Sequence, residues 1–153
     1  MALKSNFQQN DYKKQVDSLY TRIINSFIRA GEDFVTNARE QMQDHAMGTY
    51  KDRTTNLRNS IGYFIFQDGV LAIENQTGNE EENRKEVQSV VKPKDIQLIG
   101  IAGMNYASFV ESKGYNVISY QADVCLVDLA MYLETLQVIE QGTAAGVEES
   151  FIP

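Results

Sequence analysis

Hydrophobic residues recur with helical spacing through the first third of the chain. Between Asp11 and about His45 they fall three or four positions apart, which places them along one side of a helix. Gly31 lies on this apolar stripe, where the missing side chain would let another backbone approach closely. A helix break at Gly31 is the alternative, because glycine costs about 1 kcal/mol relative to alanine inside a helix. The uninterrupted phase of the stripe favours one long helix over two.

The pattern becomes that of β-strands at Ser60. The run Ser60–Phe66 is rich in β-branched and aromatic residues, and the turn sequence QDG separates it from the apolar run VLAIEN, so a hairpin is predicted. Alternation along this strand points Ile61, Tyr63 and Ile65 to one face and Phe64 and Phe66 to the other. Both faces of the first strand therefore need cover, one from the long helix and the other from a further layer or a neighbouring subunit.

The middle of the chain alternates between charged and apolar segments. Residues 76–92 contain a run of glutamates, and the first eleven of these residues, 76–86, include no large apolar side chain. This composition predicts a solvated acidic loop. After Pro93 the sequence IQLIGIAG predicts a third strand, and Tyr115–Tyr120 predicts a fourth. A short helical turn is predicted to begin near Asn105, whose side chain can cap it.

A second long helix is predicted from Gln121 to about Gln141. Its apolar residues cover a wider arc than one buried face requires, so this helix is either central in the fold or in contact with another subunit. Residues 1–10 and 142–153 are expected to be flexible tails. The whole pattern predicts one α+β domain spanning residues 1–153, with the two long helices packed on a small, mainly antiparallel sheet of about four strands.

Composition and charge narrow the classes of function. The 153 residues include 21 acidic and 14 basic side chains, a formal charge of −7, which disfavours tight binding of nucleic acid. The first residues lack the apolar segment of a signal peptide, and no run of about 18 apolar residues occurs, so we expect a cytoplasmic protein without membrane association. Cys125 is the one cysteine, so no intrachain disulfide can form and a buried inert thiol is favoured.

Several residues are of types that carry chemistry, but their spacing does not match the known sites. Gly100 and Gly103 lack the third glycine of a dinucleotide loop, and no Lys followed by Ser or Thr comes after them, so a tight strand-to-helix corner is favoured. His45 is the sole histidine, and the glutamates at 80–82 lack the spacing and the glycine of a calcium loop. The sequence therefore predicts no catalytic residue, no cofactor and no metal site.

Two segments taken together resemble phage tail-completion proteins, a family of head–tail joining and minor tail components. DRTTNLRNSIGYFIFQDG, residues 52–69, resembles that family's entry into its first strand, and NYASFVESKG, residues 105–114, resembles its second signature. Thr55 and Tyr115 depart from the pattern, since they stand where a glycine and a threonine are usual. The matching positions are Thr54, Leu57, Arg58, Ser60 and Ile61 in the first segment and Tyr106, Ala107, Val110, Glu111 and Gly114 in the second.

The resemblance implies a non-enzymatic virion or prophage part that is made in the host cytoplasm and then held in the virion. Such subunits form a ring, commonly a hexamer, and contact other phage connector or tail-tube proteins. A ring requires two unlike adhesive surfaces on each subunit, for which the strand Ser60–Phe66 and the apolar final helix are the candidates. Arg58 and Glu111 could pair within a subunit or between subunits.

Two other functions stay open from the sequence. One is a non-catalytic adaptor, encoded on a mobile element, that holds a peptide or protein at the edge of its sheet. The other is a small hydrolase whose site is assembled from acidic side chains and His45, which would require a deep pocket with perturbed carboxylates.

Overall fold

The fold is given by a computed structural model, which describes residues 9–43, 56–103, 107, 112–114 and 117–149. Within these ranges the chain forms a three-stranded antiparallel sheet with a long helix at each end of the sequence, which confirms the α+β class with one strand fewer than expected. The elements in chain order are α1 (Gln9–Gln43), α2 (Asn56–Asn59), β1 (Ile61–Gln67), β2 (Val70–Asn75), α3 (Glu80–Val90), β3 (Ile96–Ala102) and α4 (Ser119–Glu149).

The first helix runs without a break through Gly31, as its apolar periodicity predicted. The glycine is needed there because the ring of Tyr63 lies directly against it: a Cβ built on Gly31 would be 2.7 Å from Cδ2 of that ring. The group that approaches Gly31 closely is therefore a side chain, and the expectation of another backbone at this position is wrong.

The strand β1 is the centre of the sheet and pairs antiparallel with both neighbours. The predicted hairpin turns at Asp68 and Gly69, whose φ angles of 48° and 80° are both positive, as a two-residue type I′ turn requires. The pairing with β2 shifts between Ile65 and Phe66, which leaves Ala72 as the extra residue of a β-bulge.

This chain itself covers both faces of β1. Tyr63 and Ile65 lie in a core cluster with Phe34 of α1, whereas Phe64 packs in a second cluster with Val87 of α3. The predicted alternation of the two faces is confirmed. The expectation that this strand serves as an adhesive surface is wrong, because α3 supplies the second layer and every residue from Ile61 to Phe66 is buried.

The segment predicted to be an acidic loop, residues 76–92, contains the helix α3. The prediction missed it because only Asn83 and Val87 of this helix are buried, so the apolar periodicity is weak. Local features do favour the helix: its glutamates occupy the first turn, where carboxylates suit the helix dipole, and Lys85 pairs with Glu81 at 2.9 Å.

The described part of the predicted fourth strand, Tyr115–Tyr120, is not a strand. Val117 is buried and Ile118 packs against the larger core cluster, but the chain bends there and α4 begins at Ser119. The β-branched residues of this segment therefore fill the core from a connection. Asn105, where a helical turn was predicted to begin, lies outside the described residues.

α1 begins before its predicted start, and α4 extends past both of its predicted ends. α1 begins at Gln9, and residues 1–8 lie outside the described residues. α4 continues to Glu149, so most of the predicted tail at 142–153 belongs to the helix.

The predicted strand-to-helix corner does not include Gly100, whereas Gly103 directly follows the last residue of β3 and Ala107 is helical. Gly100 lies within β3, where a Cβ would be 2.6 Å from Cζ of Phe34, and Gly103 faces the side chain of the buried Asn83. Both positions exclude a side chain because another side chain already occupies the space.

Candidate functional site

The described residues of the first matching segment mostly lie inside the fold. Leu57 and Ile61 are fully buried in the larger core cluster. Ser60 closes the corner between α2 and β1, since its Oγ donates to the carbonyl oxygen of Leu57 at 2.7 Å and its own carbonyl accepts from the Gly103 N–H at 3.2 Å. Their burial suits a packing role and places them out of reach of a partner, whereas Arg58 is partly exposed.

The second matching segment is described at only some of its positions. Ala107 is buried in the same core cluster, and Gly114 is exposed with a φ of 85°, a backbone conformation that favours glycine. The remaining matched positions lie outside the described residues, and so does the predicted partner of Arg58. These positions are Thr54, Tyr106, Val110 and Glu111.

The thiol of Cys125 lies in α4 against α1. Its Sγ is 3.5 Å from the carbonyl oxygen of Ala30. Burial, followed by the nearby carboxylates of Asp128 and Asp33, raises the pKa of this thiol to about 11. It therefore stays protonated at neutral pH and is a poor nucleophile, in agreement with the inert thiol that the sequence predicted.

The part of the chain that the structure describes contains no assembled site for catalysis by a metal ion or by histidine. There, no group of three or more His, Cys, Asp or Glu side chains is arranged to hold a metal ion. His45 lies outside the described residues. None of the helices searched in those same ranges is long and apolar enough to span a membrane.

One side of the first half of α4 is fixed against α1 by polar contacts. Nε2 of Gln121 donates to Oε1 of Gln41 at 3.1 Å, and the Tyr132 hydroxyl donates to Oδ2 of Asp33 at 2.6 Å. The guanidinium carbon of Arg29 lies 4.2 Å from the centre of the Tyr132 ring. Residue numbers rise along one helix as they fall along the other, so the two helices run antiparallel.

The other side of α4 presents large apolar side chains to solvent. Tyr120, Val127 and Met131 are 59%, 68% and 52% exposed, and their spacing of seven and four residues places them on one side of the helix. Leu126, which is 70% exposed, lies beside them. We call these four residues the α4 face. Clustered exposed apolar residues of this kind mark sites of contact with another molecule.

The charged residues that α4 itself places beside the α4 face are acidic. Asp123 and Glu134 are exposed and fall on the same outward side of the helix by their spacing from Val127. From Ser119 to Glu149 the helix contains no Lys, Arg or His. A partner for this surface therefore needs apolar side chains together with positive charge.

An apolar groove adjoins the α4 face. It lies between α1, β3 and α4, has a volume of about 150 Å³, and continues into the α4 face at Leu126. A cavity of about this size accepts a benzene-sized group, so one large side chain fits. The groove is lined mainly by Phe34, Leu98, Ile118, Cys125, Leu126 and Leu129.

Sequence reasoning identified the excess apolar character of the last helix but not which of its sides stays uncovered. The contacts of Tyr132 with Arg29 and Asp33 decide that, and they join residues about a hundred positions apart, which local spacing does not reveal. Comparison of the chain with known protein families, with curated proteins and with solved structures finds no match. Its function must therefore be inferred from the surface that the fold leaves uncovered.

Proposed function

We propose that this chain is a non-enzymatic assembly subunit of a phage or prophage particle, in head–tail joining or tail completion. It acts by binding further copies of itself in a ring and by contacting other connector or tail-tube proteins. The observation that carries the proposal is the α4 face, an apolar surface exposed on a helix whose opposite side is fixed against α1. The resemblance of residues 52–69 and 105–114 to tail-completion signatures supports the biological setting.

Burial of the α4 face supplies a driving force of useful size. Fully burying one large apolar side chain contributes about 1.5–3 kcal/mol, and Val127 and Met131 are both more than half exposed. Because Tyr132 and Gln121 already hold the helix against α1, little conformational freedom is left to lose on binding. A contact built on these residues can therefore be stable without any rearrangement of the fold.

The charge of the chain favours a protein partner over nucleic acid. The formal charge is −7, and Glu80, Glu81 and Glu82 are all exposed on the first turn of α3. Carboxylates repel the phosphate backbone, so a particle component of this kind does not hold DNA that passes it.

A peptide-binding adaptor is the second candidate, and the sheet topology favours it. Among the described residues, the order β2-β1-β3 leaves β2 with one unpaired side, and Val70 and Leu71 on this edge are exposed. An extended peptide can add to such an edge as a further strand. The bulge at Ala72 interrupts the regular hydrogen-bonding edge, which makes this function the less favoured of the two.

The assembly function is tested by measuring molar mass against concentration for the wild-type chain, for Val127→Glu and for Val90→Glu. Val90 is an equally apolar residue, 59% exposed, at the end of α3, so the second variant is a matched control. We expect the wild type and Val90→Glu to form assemblies that appear as rings in negative stain, and Val127→Glu to be monomeric. A wild-type chain that stays monomeric at every concentration contradicts self-assembly. If Val127→Glu assembles like the wild type, the α4 face is not the contact surface.

A further inference from the structure

The strand β3 forms the edge of the described sheet opposite β2, and its pairing with β1 is regular through Ile96–Ala102. Just before this stretch, the N–H of Asp68 donates to the carbonyl oxygen of Asp95 at 3.0 Å. Just after it, the N–H of Gly103 donates to the carbonyl oxygen of Ser60 at 3.2 Å. Because backbone groups alternate in direction along an antiparallel strand, these two bonds fix which residues of β3 face β1 and which face outward.

Four residues of β3 direct their N–H and C=O groups away from β1, and we call them the β3 edge. The part of the chain that the structure describes forms no hydrogen bond with these outward groups. Gly100 is exposed and the other three residues are half-buried, so solvent reaches this edge. The residues of the β3 edge are Ile96, Leu98, Gly100 and Ala102.

The β3 edge lacks the features that keep edge strands from pairing with other chains. Such features include lysine, proline and β-bulges, and Ile96–Ala102 contains none of them. The pairing of β2, by contrast, is interrupted at Ala72. An extended segment of another chain can therefore add to the sheet along the whole length of β3.

The apolar groove between α1, β3 and α4 lies beside the β3 edge. Leu98 and Gly100 belong to the edge and also line the groove, together with Leu126 of α4. A Cβ on Gly100 would point toward Phe34, which lines the groove as well. Paired residues on neighbouring strands share a face of the sheet, so a residue added opposite Gly100 directs its side chain into this groove. The volume of about 150 Å³ fits one large apolar side chain.

Charge near the groove favours a basic residue in the added segment. Asp123 is exposed three positions before Leu126, and α4 contains no Lys, Arg or His to neutralise it. The residues of β3 itself carry no charge, so β3 of a second copy would not supply the basic residue.

We propose that the β3 edge binds an extended segment of a partner protein as an additional strand. The segment places a large apolar side chain in the groove and a basic residue near Asp123. This inference goes beyond the self-assembly proposed above, because the site is complete in one copy of the chain.

The site is tested with a synthetic peptide of about eight residues, in which threonine alternates with valine around a central phenylalanine and a lysine stands at each end. The control peptide has the same side chains, but its valines and phenylalanine are N-methylated and cannot donate to the β3 edge. We expect amide hydrogen exchange at Leu98 and Gly100, followed by NMR, to be fast in the free chain. The first peptide should slow it at least roughly tenfold, and the control peptide should not.

Two adjacent residues of α4 provide matched variants. Leu126→Glu places a charge at the groove and should weaken peptide binding at least roughly tenfold, whereas Val127→Glu, at a residue that does not line the groove, should bind like the wild type. Both residues are exposed, so the fold should be kept, as circular dichroism will verify. Asp123→Lys should weaken binding by roughly two- to fivefold, and an unchanged affinity excludes the basic contact.

Slow exchange at Leu98 and Gly100 in the free chain would show that the β3 edge is already paired and would overturn this inference. A peptide that binds no better than its N-methylated form would overturn it as well. Binding is measured on Val127→Glu, the variant expected to be monomeric, as well as on the wild type. Failure of self-assembly therefore leaves the result of this test intact, and the two proposals fail separately.

Discussion

Tyr63 of β1 fills the space that Gly31 leaves in α1. Its ring carbon Cδ2 would lie 2.7 Å from a Cβ at Gly31, and its hydroxyl donates to Oε1 of Glu32, the next residue of the helix, at 2.8 Å. Nδ2 of Asn75 in β2 donates to the same carboxylate oxygen at 2.8 Å. One glycine and one carboxylate thus fix the long helix to two strands of the sheet.

Alanine at position 31 should destabilise the fold. Tyr63 is buried and a Cβ at position 31 would overlap its ring, so we expect Gly31→Ala to lower the free energy of unfolding by about 1–3 kcal/mol, as overpacking does. This loss outweighs the gain of about 1 kcal/mol in helix propensity. Urea denaturation measures it, with Thr36→Ala, exposed on the same helix, as a control that should be neutral or slightly stabilising. Equal stability of Gly31→Ala and the wild type would contradict the packing.

Removal of the Tyr63 hydroxyl should lower the stability of the fold by an amount that depends on pH. Burial, helped by Glu32, raises the pKa of Tyr63 above its ordinary value of 10.0. As the pH rises through about 10 the unfolded chain therefore releases this proton first, and the wild type loses stability that Tyr63→Phe does not lose. We expect Tyr63→Phe to be less stable by about 1 kcal/mol near neutral pH, with the difference shrinking above about pH 10. A difference that stays constant across that range would show that the hydroxyl titrates as it does in water.

The thiol of Cys125 should react slowly while the chain is folded. Its pKa is raised to about 11, chiefly by burial, so the thiolate fraction at about pH 8 is far below that of the unfolded chain. The greater nucleophilicity of a less acidic thiolate offsets part of this, and we expect alkylation by iodoacetamide to be slower by at least roughly tenfold than in denaturant. Asp128→Asn, which removes a nearby negative charge, should accelerate the folded-state reaction. Equal rates in folded and unfolded chains would rule out the burial described above.

The ion pair between Glu74 of β2 and Arg84 of α3 should affect stability at neutral pH only slightly. Nε of Arg84 donates to Oε2 of Glu74 at 2.9 Å and Nη2 donates to Oε1, so the pair is bidentate but lies at the surface. The hydrogen bonds from Arg84 lower the pKa of Glu74 below its ordinary 4.5. The contribution of the ion pair to the free energy of unfolding is therefore present above about pH 4.5 and is lost as the pH falls through the lowered pKa of Glu74.

NMR titration of the Glu74 carboxyl measures this pKa directly. Arg84→Gln should move it back toward 4.5, and added salt should do so in part. Lys85→Gln, which removes the neighbouring cation of the same helix, is the control and should leave it unchanged. A Glu74 pKa that is the same with and without Arg84 would show that the pair does not persist in solution.

The elements with a regular apolar period could be predicted, and the others could not. The spacing of the α1 stripe and the turn at Asp68-Gly69 both led to the elements that the structure has. The helix α3 was missed because only Val87 and Asn83 of it are buried. The described residues of the predicted fourth strand, 117–120, were wrongly assigned because β-branched residues also fill a core from a connection. Residue preferences report the local conformation only where packing does not override them.

The candidate site could be predicted only in part, for a related reason. Two segments looked too apolar for one covered face, the strand Ser60–Phe66 and the last helix. The strand is enclosed because α3 packs Val87 against its second face, whereas the α4 face stays open because no described element lies over it. The sequence identified the surplus of apolar surface, and the fold selected which part of it remains available.

By itself, the sequence of this protein determined which residues share a face, because the helical and strand periods follow from local backbone geometry that every residue obeys. The tertiary structure alone decided which of those faces are covered. That choice depends on contacts between distant segments, such as Phe34 against Gly100 or Tyr132 against Asp33, whose free energy arises only when the segments meet. The surface left open on α4 is accordingly a property of the assembled fold.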